Sequence, residues 1–338
     1  MVLKKQSKKT ISELRQDLVS GDWILIAPER ASRPEIAKKR NNNKTILPKT
    51  KCPFENPSKY GNQPPLLVYQ NRANTDWFLQ VIPNKYPAVE RSSRDLIRKI
   101  GPYQMRAGIG SHEVIILRDH DKHISQYSKE EFQKLFSAYQ DRYKSLAGQK
   151  FVEYISIFHN YGEKAGASIS HPHSQILALS VVPPDVGRSI YGSKNYFHQY
   201  KKCIHCLMIE HELKTKERII FENKNAVVFA PYASHSNFET RIFPKRHEAS
   251  FERVPQGELL GIAEAFSEAL KRMYRNLSDP SFNFFLHTAP AVEKINYSHY
   301  HWHFEIVPKT TIFGGFDIGT GIDILTVTPE EAAKILRK

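Results

Sequence analysis

The sequence predicts an α+β protein made of two similar halves, each an antiparallel sheet carrying one long helix. Three observations predict it. One order of parts occurs twice along the 338 residues: cysteine motif, strand-like run, histidine turn, amphipathic helix, strand, then a histidine-x-histidine strand. Both helical stretches repeat apolar side chains at helical spacing, and both closing strands carry paired histidines, His171 with His173 and His301 with His303.

The halves are expected at 1–180 and 181–338. The first opens on Cys52-Pro53-Phe54-Glu55, then offers strand runs at 77–82 and 114–117, the latter leading into Arg118-Asp119-His120. Ser128 and Glu131 form a capping box, after which Phe132, Leu135, Phe136, Tyr139, Tyr143 and Leu146 mark one helix face until Gly148. A strand at 154–158 and a closing strand at 170–178 complete the half. The second half repeats this with Cys203-Ile204-His205-Cys206, strands at 226–230 and 241–243, and Pro244-Lys245-Arg246-His247. Its helix face is Leu259, Ile262, Ala263, Phe266, Leu270, Met273, Tyr274 and Leu277, followed by strands at 282–286 and 299–307. The joint is expected at 181–201, starting from Val181-Val182-Pro183-Pro184. One continuous sheet shared by both halves is the alternative to two separate sheets.

Forty per cent hydrophobic and 25% charged residues argue against disorder. No stretch approaches the roughly 20 apolar residues of a membrane-spanning helix, and the N-terminus lacks the apolar core of a secretion signal. A cytoplasmic protein without a membrane partner is expected. The net charge of +14 favours anionic partners, but its lysines are scattered or fall in polar runs such as Lys38-Lys39-Arg40, and no nucleic-acid motif accompanies them. No nucleic-acid partner is expected.

Three cysteines are too few for a disulfide framework. Zinc takes four N, S or O ligands in a tetrahedron, commonly a two-ligand turn plus two distant residues. Cys203, Cys206, His247 and His301 offer that set in the second half, and Cys52, Glu55, His120 and His171 offer it in the first. The turn histidine precedes the strand histidine by 51 residues in the first half and by 54 in the second. Four protein ligands leave no open position, so one or two structural zinc ions are expected, with Glu55 making the first site the harder one.

Residues two apart on a strand share a face, so His171, His173 and Gln175 are expected to project together. The approach from Asn160 to Ser168 is a polar turn whose small residues let backbone N–H groups near an anionic oxygen. A neutral imidazole nitrogen can attack phosphorus and hold the transferred group as a phosphoramidate, provided the other nitrogen donates to a fixed acceptor. Gln175 and Ser168 would then donate to the phosphorus oxygens.

The string Gly166-Ala167-Ser168-Ile169-Ser170-His171-Pro172-His173-Ser174-Gln175 resembles the active-site segment of galactose-1-phosphate uridylyltransferases, within the histidine-triad superfamily. Residues 21–34 and 81–87 resemble that family's nucleotide-binding segments, and the likeness covers nearly the whole chain. It implies duplicated histidine-triad-like halves, usually in a homodimer, with nucleotide sugar and sugar 1-phosphate or phosphate as substrates. It also implies His173 as the nucleophile, Asn160, Ser168 and Gln175 as its phosphate-side neighbours, and Arg30, Arg33 and Asn84 as nucleotide contacts. Cys203 with Cys206, and the string 314–321, look instead like the ADP-glucose phosphorylase branch. Asp317 stands near the place of a hexose-binding glutamate, while Gly319, Thr320 and Gly321 offer backbone donors to an acceptor phosphate.

Three functions follow. The lead is transfer of a uridylyl group from UDP-glucose to hexose 1-phosphate through His173. Its rivals are transfer of AMP from ADP-glucose to inorganic phosphate, and a non-catalytic zinc protein that binds nucleotide or nucleic acid.

Overall fold

The computed structural model describes residues 11–32, 47–91, 97–292 and 295–338. Arg33, one of the expected nucleotide contacts, lies outside them. The chain opens with the hairpin β1 (Glu13–Gln16) and β2 (Trp23–Ile26). It continues through β3 (Leu67–Gln70), β4 (Trp77–Pro83), the hairpin β5 (Ile97–Ile100) and β6 (Tyr103–Arg106), and β7 (Gly110–Leu117). Helix α1 (Lys129–Ala147), β8 (Tyr154–Tyr161) and β9 (His173–Leu179) follow. Then come α2 (Pro184–Tyr200), α3 (Ile204–Thr215), β10 (Ile219–Glu222), β11 (Ala226–Phe229) and β12 (Thr240–Pro244). The chain finishes with α4 (Gln256–Asn276), β13 (Phe282–His287), β14 (His303–Pro308), α5 (Gly315–Thr320), β15 (Asp323–Leu325) and α6 (Pro329–Leu336).

Ten strands form one sheet, in the order β10-β11-β12-β14-β13-β8-β9-β7-β4-β3. Its order reads the same from either edge, with β3 matching β10, β4 matching β11, β7 matching β12, β9 matching β14 and β8 matching β13. The halves join where β8 pairs with β13 antiparallel, Phe158 opposite Phe285 and Asn160 opposite Asn283. The continuous-sheet alternative is therefore the one adopted.

Alternation along the strands explains how one face became the core. Ile155, Ile157, Ile176, Ala178, Phe284, Leu286, Phe304 and Ile306 turn to the side where α1 and α4 lie against each other. The Ser128 hydroxyl accepts from the Glu131 N–H at 3.2 Å and the Glu131 carboxylate accepts from the Ser128 N–H at 2.7 Å, which fixes the start of α1. Phe266 of α4 is the keystone of this core. Its ring lies 5.2 Å from those of Phe132 and Phe136 on α1 and 5.0 Å from those of Phe284 and Phe304. Tyr274, expected on the same helix face, is instead 38% exposed and packs on His123 at the helix margin.

The closing strands begin later than expected, at His173 and His303. His171 and His301 precede them, so they do not share the strand face of His173 and His303. The expected joint is largely helix α2, and the cysteine motif of the second half opens α3. A small sheet, β1-β2-β15, with β15 parallel to β2, packs Ile24 and Ile26 on Ala233 and Leu325 and so docks the N-terminal segment on the second half.

His159, on the core side of β8, is stacked on Phe284 at 4.8 Å, and burial holds it well below the usual imidazole range. A depressed histidine keeps its full contribution to stability above the unfolded value near 6.5 and loses it as the pH falls below that. The urea midpoint should fall between pH 7 and pH 5, and His159→Phe should flatten that fall. Phe266→Ala should lower unfolding free energy by about 3–5 kcal/mol in a single transition common to both halves, readable by denaturant titration.

Candidate active site and metal-ligand clusters

The face of the sheet opposite α1 and α4 carries the candidate active-site residues. His173 and Gln175 share it on β9, and register places Phe158 of β8 opposite Gln175. Asn160, two residues beyond Phe158, therefore points to the same side, next to the Asn283 that pairs with it. His173 is 7% exposed. Its Nδ1 lies 2.8 Å from the His171 carbonyl oxygen, an acceptor, which fixes the proton on Nδ1 and leaves Nε2 with its lone pair. Burial pushes this imidazole below its usual range, against the pull of that carbonyl, so it is neutral at neutral pH. Phe54 packs its ring 4.9 Å from that of His173.

The loop leading to His173 turns at Gly162 and Gly166, both at positive φ. A Cβ on Gly162 would run into Ser281 of the second half. Ser168 is exposed at the loop's end. Asn84, just after β4, accepts the Tyr86 N–H on Oδ1 at 2.9 Å and donates its own backbone N–H to the His112 carbonyl at 2.8 Å. Two residues that the sequence did not single out sit in this group, His112 on β7 and Asn283 on β13. His112 Nε2 is 2.8 Å from Gln175 Oε1, and the Asn283 amide nitrogen is 2.8 Å from Asn160 Oδ1.

Behind His173 lies the first ligand cluster. Cys52, His120 and His171 bring their ligand atoms within 4.8 Å of one another. His120 Nε2 donates to the Leu47 carbonyl at 2.9 Å and His171 Nε2 to the Leu117 carbonyl at 2.6 Å. Both Nδ1 lone pairs therefore face each other, 3.0 Å apart, an arrangement that calls for a cation between them. Burial brings His171 down to about 4, keeping it an unprotonated ligand. Glu55 stands at the margin: Oε1 accepts from Arg118 at 2.9 Å, while Oε2 is buried without a hydrogen-bond partner, 3.8 Å from His120 Nδ1 and 4.0 Å from His171 Nδ1. The donor set fits a metal ion.

In the second half Cys203, Cys206, His247 and His301 all fall within 4.8 Å. Cys206 Sγ lies 3.3 Å from His247 Nδ1 and 3.5 Å from His301 Nδ1, and the two Nε2 atoms donate to the Ser298 and Pro244 carbonyls. Hydrogen bonding from Cys206, then from His247 and His301, favours the Cys203 thiolate, while the Cys206 thiol that donates to it is pushed up, so the two sulfurs share one proton.

The second half also holds a copy of the His173 arrangement in which Nε2 meets a carboxylate. Glu305 lies opposite Phe285 as Gln175 lies opposite Phe158, and His303 opposite His287. His303 Nδ1 again faces a carbonyl, that of His301 at 3.2 Å, but its Nε2 is 3.2 Å from Glu305 Oε1. Arg241, 2.9 Å from Glu305, keeps that carboxylate ionised despite burial. A cavity of about 780 Å³ lies here, lined by His287, His303, Glu305, Thr320 and Gly321 among others.

The remaining expected residues are not brought to His173. Arg30 sits half-buried in the turn after β2, within the small sheet's surroundings. Gly319 and Thr320 belong to the short helix α5, and Gly321 caps it in the left-handed region. Asp317 has both oxygens engaged, Oδ2 accepting the Gly314 N–H at 2.8 Å and Oδ1 the Ile324 N–H at 3.0 Å.

Comparison with known proteins agrees with this geometry. Residues 2–183 match the family model for the N-terminal domain of galactose-1-phosphate uridyl transferase, and residues 106–337 match a domain of unknown function, DUF4921. The chain is 33% identical over 330 residues to an ADP-glucose phosphorylase of Arabidopsis thaliana, covering 96% of this chain and 92% of that one. It is 26% identical to a galactose-1-phosphate uridylyltransferase of Thermotoga maritima, covering 96% and 98%. A crystal structure of the Arabidopsis thaliana ADP-glucose phosphorylase with bound ADP-glucose superposes with a TM-score of 0.82, over 97% of this chain and 99% of that one. A uridylyltransferase structure, 26% identical and covering 97% of each chain, gives 0.73. Among the described residues no helix is long and apolar enough to cross a membrane. Sequence, sheet order and histidine geometry together place the chain in the galactose-1-phosphate uridylyltransferase family of the histidine-triad superfamily, as a nucleotidyltransferase.

Proposed function

We propose that the protein transfers AMP from ADP-glucose to inorganic phosphate through His173. The observation that carries this reading is the state of that histidine, neutral, held by its Nδ1 proton on the His171 carbonyl and bare at Nε2. In the first step Nε2 forms a bond to the α-phosphorus, and the bond from that phosphorus to the bridging oxygen breaks, so glucose 1-phosphate leaves with the electron pair. In the second step a phosphate oxygen attacks the phosphoramidate, the P–N bond breaks, its electron pair returns to Nε2, and ADP leaves. Asn160, Ser168 and Gln175 donate to the phosphorus oxygens and Asn84 contacts the nucleotide, while Arg30 would reach it only from a second copy of the chain.

The adenine reading is supported by the greater identity to the ADP-glucose phosphorylase than to the uridylyltransferases, and by the matching order of TM-scores. An acceptor role for Gly319, Thr320 and Gly321 at His173 calls for a second copy of the chain, since on one chain two of them line the other cavity.

The two ligand clusters would hold zinc as structural ions, tying the cysteine turns to the sheet. In the first, Cys52, His120 and His171 would bind with Glu55 as fourth ligand. In the second the ligands would be Cys203, Cys206, His247 and His301.

Intact-protein mass after incubation with ADP-glucose should show an AMP adduct that inorganic phosphate discharges, and His173→Gln should show none. A UMP adduct from UDP-glucose, discharged by galactose 1-phosphate and not by phosphate, would replace this reading with the uridylyltransferase one. Elemental analysis should find two zinc ions per chain and one in Cys203→Ser. A chelator should remove the ion of the carboxylate-containing site first, and Glu55→Cys should slow that release.

A further inference from the structure

Resting on the His173 reading above, we infer that His112 and Asn283 are positioning residues that set which end of the Gln175 and Asn160 side-chain amides faces the transferring phosphoryl group. An amide that presents its NH2 stabilises charge on phosphorus oxygens, and one that presents its carbonyl repels it. An amide's two ends are alike in shape, so something must choose between them. Here each choice can be traced to a backbone group whose role is fixed.

For Gln175 the anchor is the Ala88 N–H. It donates to His112 Nδ1 at 3.1 Å, so that nitrogen is an acceptor and the imidazole proton sits on Nε2. Nε2–H then donates to the Gln175 carbonyl oxygen at 2.8 Å. Asn84 cannot take this proton, because its own oxygen accepts from the Tyr86 N–H and its amide nitrogen is what approaches Nε2, at 3.1 Å. The NH2 of Gln175 is left to donate on the face it shares with His173.

For Asn160 the anchor is the Ala165 carbonyl. It accepts from the Asn283 amide nitrogen at 2.8 Å, so that end of Asn283 is its NH2. The second proton of the same NH2 donates to Asn160 Oδ1, also at 2.8 Å. The Asn160 NH2 is thereby turned away from β13, toward the loop at Gly166 that leads to His173. The two chains of hydrogen bonds come from opposite halves, His112 from the first and Asn283 from the second.

The test is a polarity reversal at nearly constant shape, read by the rate of adduct formation with ADP-glucose under single-turnover conditions. His112→Gln keeps a donor within reach of Gln175, whereas His112→Glu presents an acceptor and turns the Gln175 amide around. Asn283→Asp does the same to Asn160. His112→Glu and Asn283→Asp should each slow adduct formation about 100-fold with a smaller change in ADP-glucose affinity, while His112→Gln stays within about tenfold of the parent. Thermal unfolding of all three variants checks that they are folded, and a purely structural role would make His112→Gln as slow as His112→Glu. Adduct formation at the parent rate in both reversal variants overturns the inference and leaves the His173 mechanism intact. Absence of any adduct in the parent protein, with ADP-glucose or UDP-glucose, overturns the mechanism and the inference with it.

Discussion

One carbonyl oxygen organises the site. The backbone oxygen of His171 receives the Nδ1 proton of His173, while the His171 ring turns the other way into the cysteine and histidine cluster. The tautomer of the His173 imidazole is thus set by a peptide group whose position depends on how its own side chain is held. Phe54 closes the same connection from above, since it stands between Cys52 and Glu55 in the turn and lays its ring against His173. The cluster therefore helps fix the peptide that orients His173 at the start of β9.

The second half shows what the same frame does when one contact is changed. His205 packs on His303, with ring centroids 5.5 Å apart, as Phe54 packs on His173, and the His303 Nδ1 proton again has a carbonyl to meet. Yet a carboxylate replaces the amide two residues on, and it covers Nε2. Burial brings His303 down to about 4, so the ring carries a single proton between two acceptors, the His301 carbonyl and the Glu305 carboxylate, whereas His173 has an acceptor at Nδ1 alone. The exchange of glutamine for glutamate is compensated by Arg241, which has no need of an equivalent beside Gln175.

Much of this was legible in the sequence because it repeats or lies close along the chain. The capping box at Ser128 and Glu131, the helical stripes and the paired histidines are local signals, and duplication made the ligand clusters stand out. What stayed hidden depends on tertiary contact. The helix α2 was masked by Gly187 and Gly192, poor helix formers; Gly192 is needed because a Cβ there would strike the Val19 carbonyl of the docked N-terminal segment. The strands were expected to include His171 and His301, but rings that must turn beneath the sheet end cannot alternate with it. His112 and Asn283 gave no signal at all, since they act through an amide 24 residues away in one case and a carbonyl 118 residues away in the other.

The seam between β8 and β13 has a bearing on descent. Ser281 crowds Gly162 and Asn283 grips Asn160, so the loop that serves His173 is braced by the half whose own histidine is covered. After a gene doubles in length, a copy relieved of its reaction is ordinarily free to decay. Here the residues that brace the Asn160 loop belong to the second half, so a change there is felt in the first. A substitution at Asn283 would therefore reach the loop before His173, whereas one at Glu305 would stay among His303, His287 and Arg241.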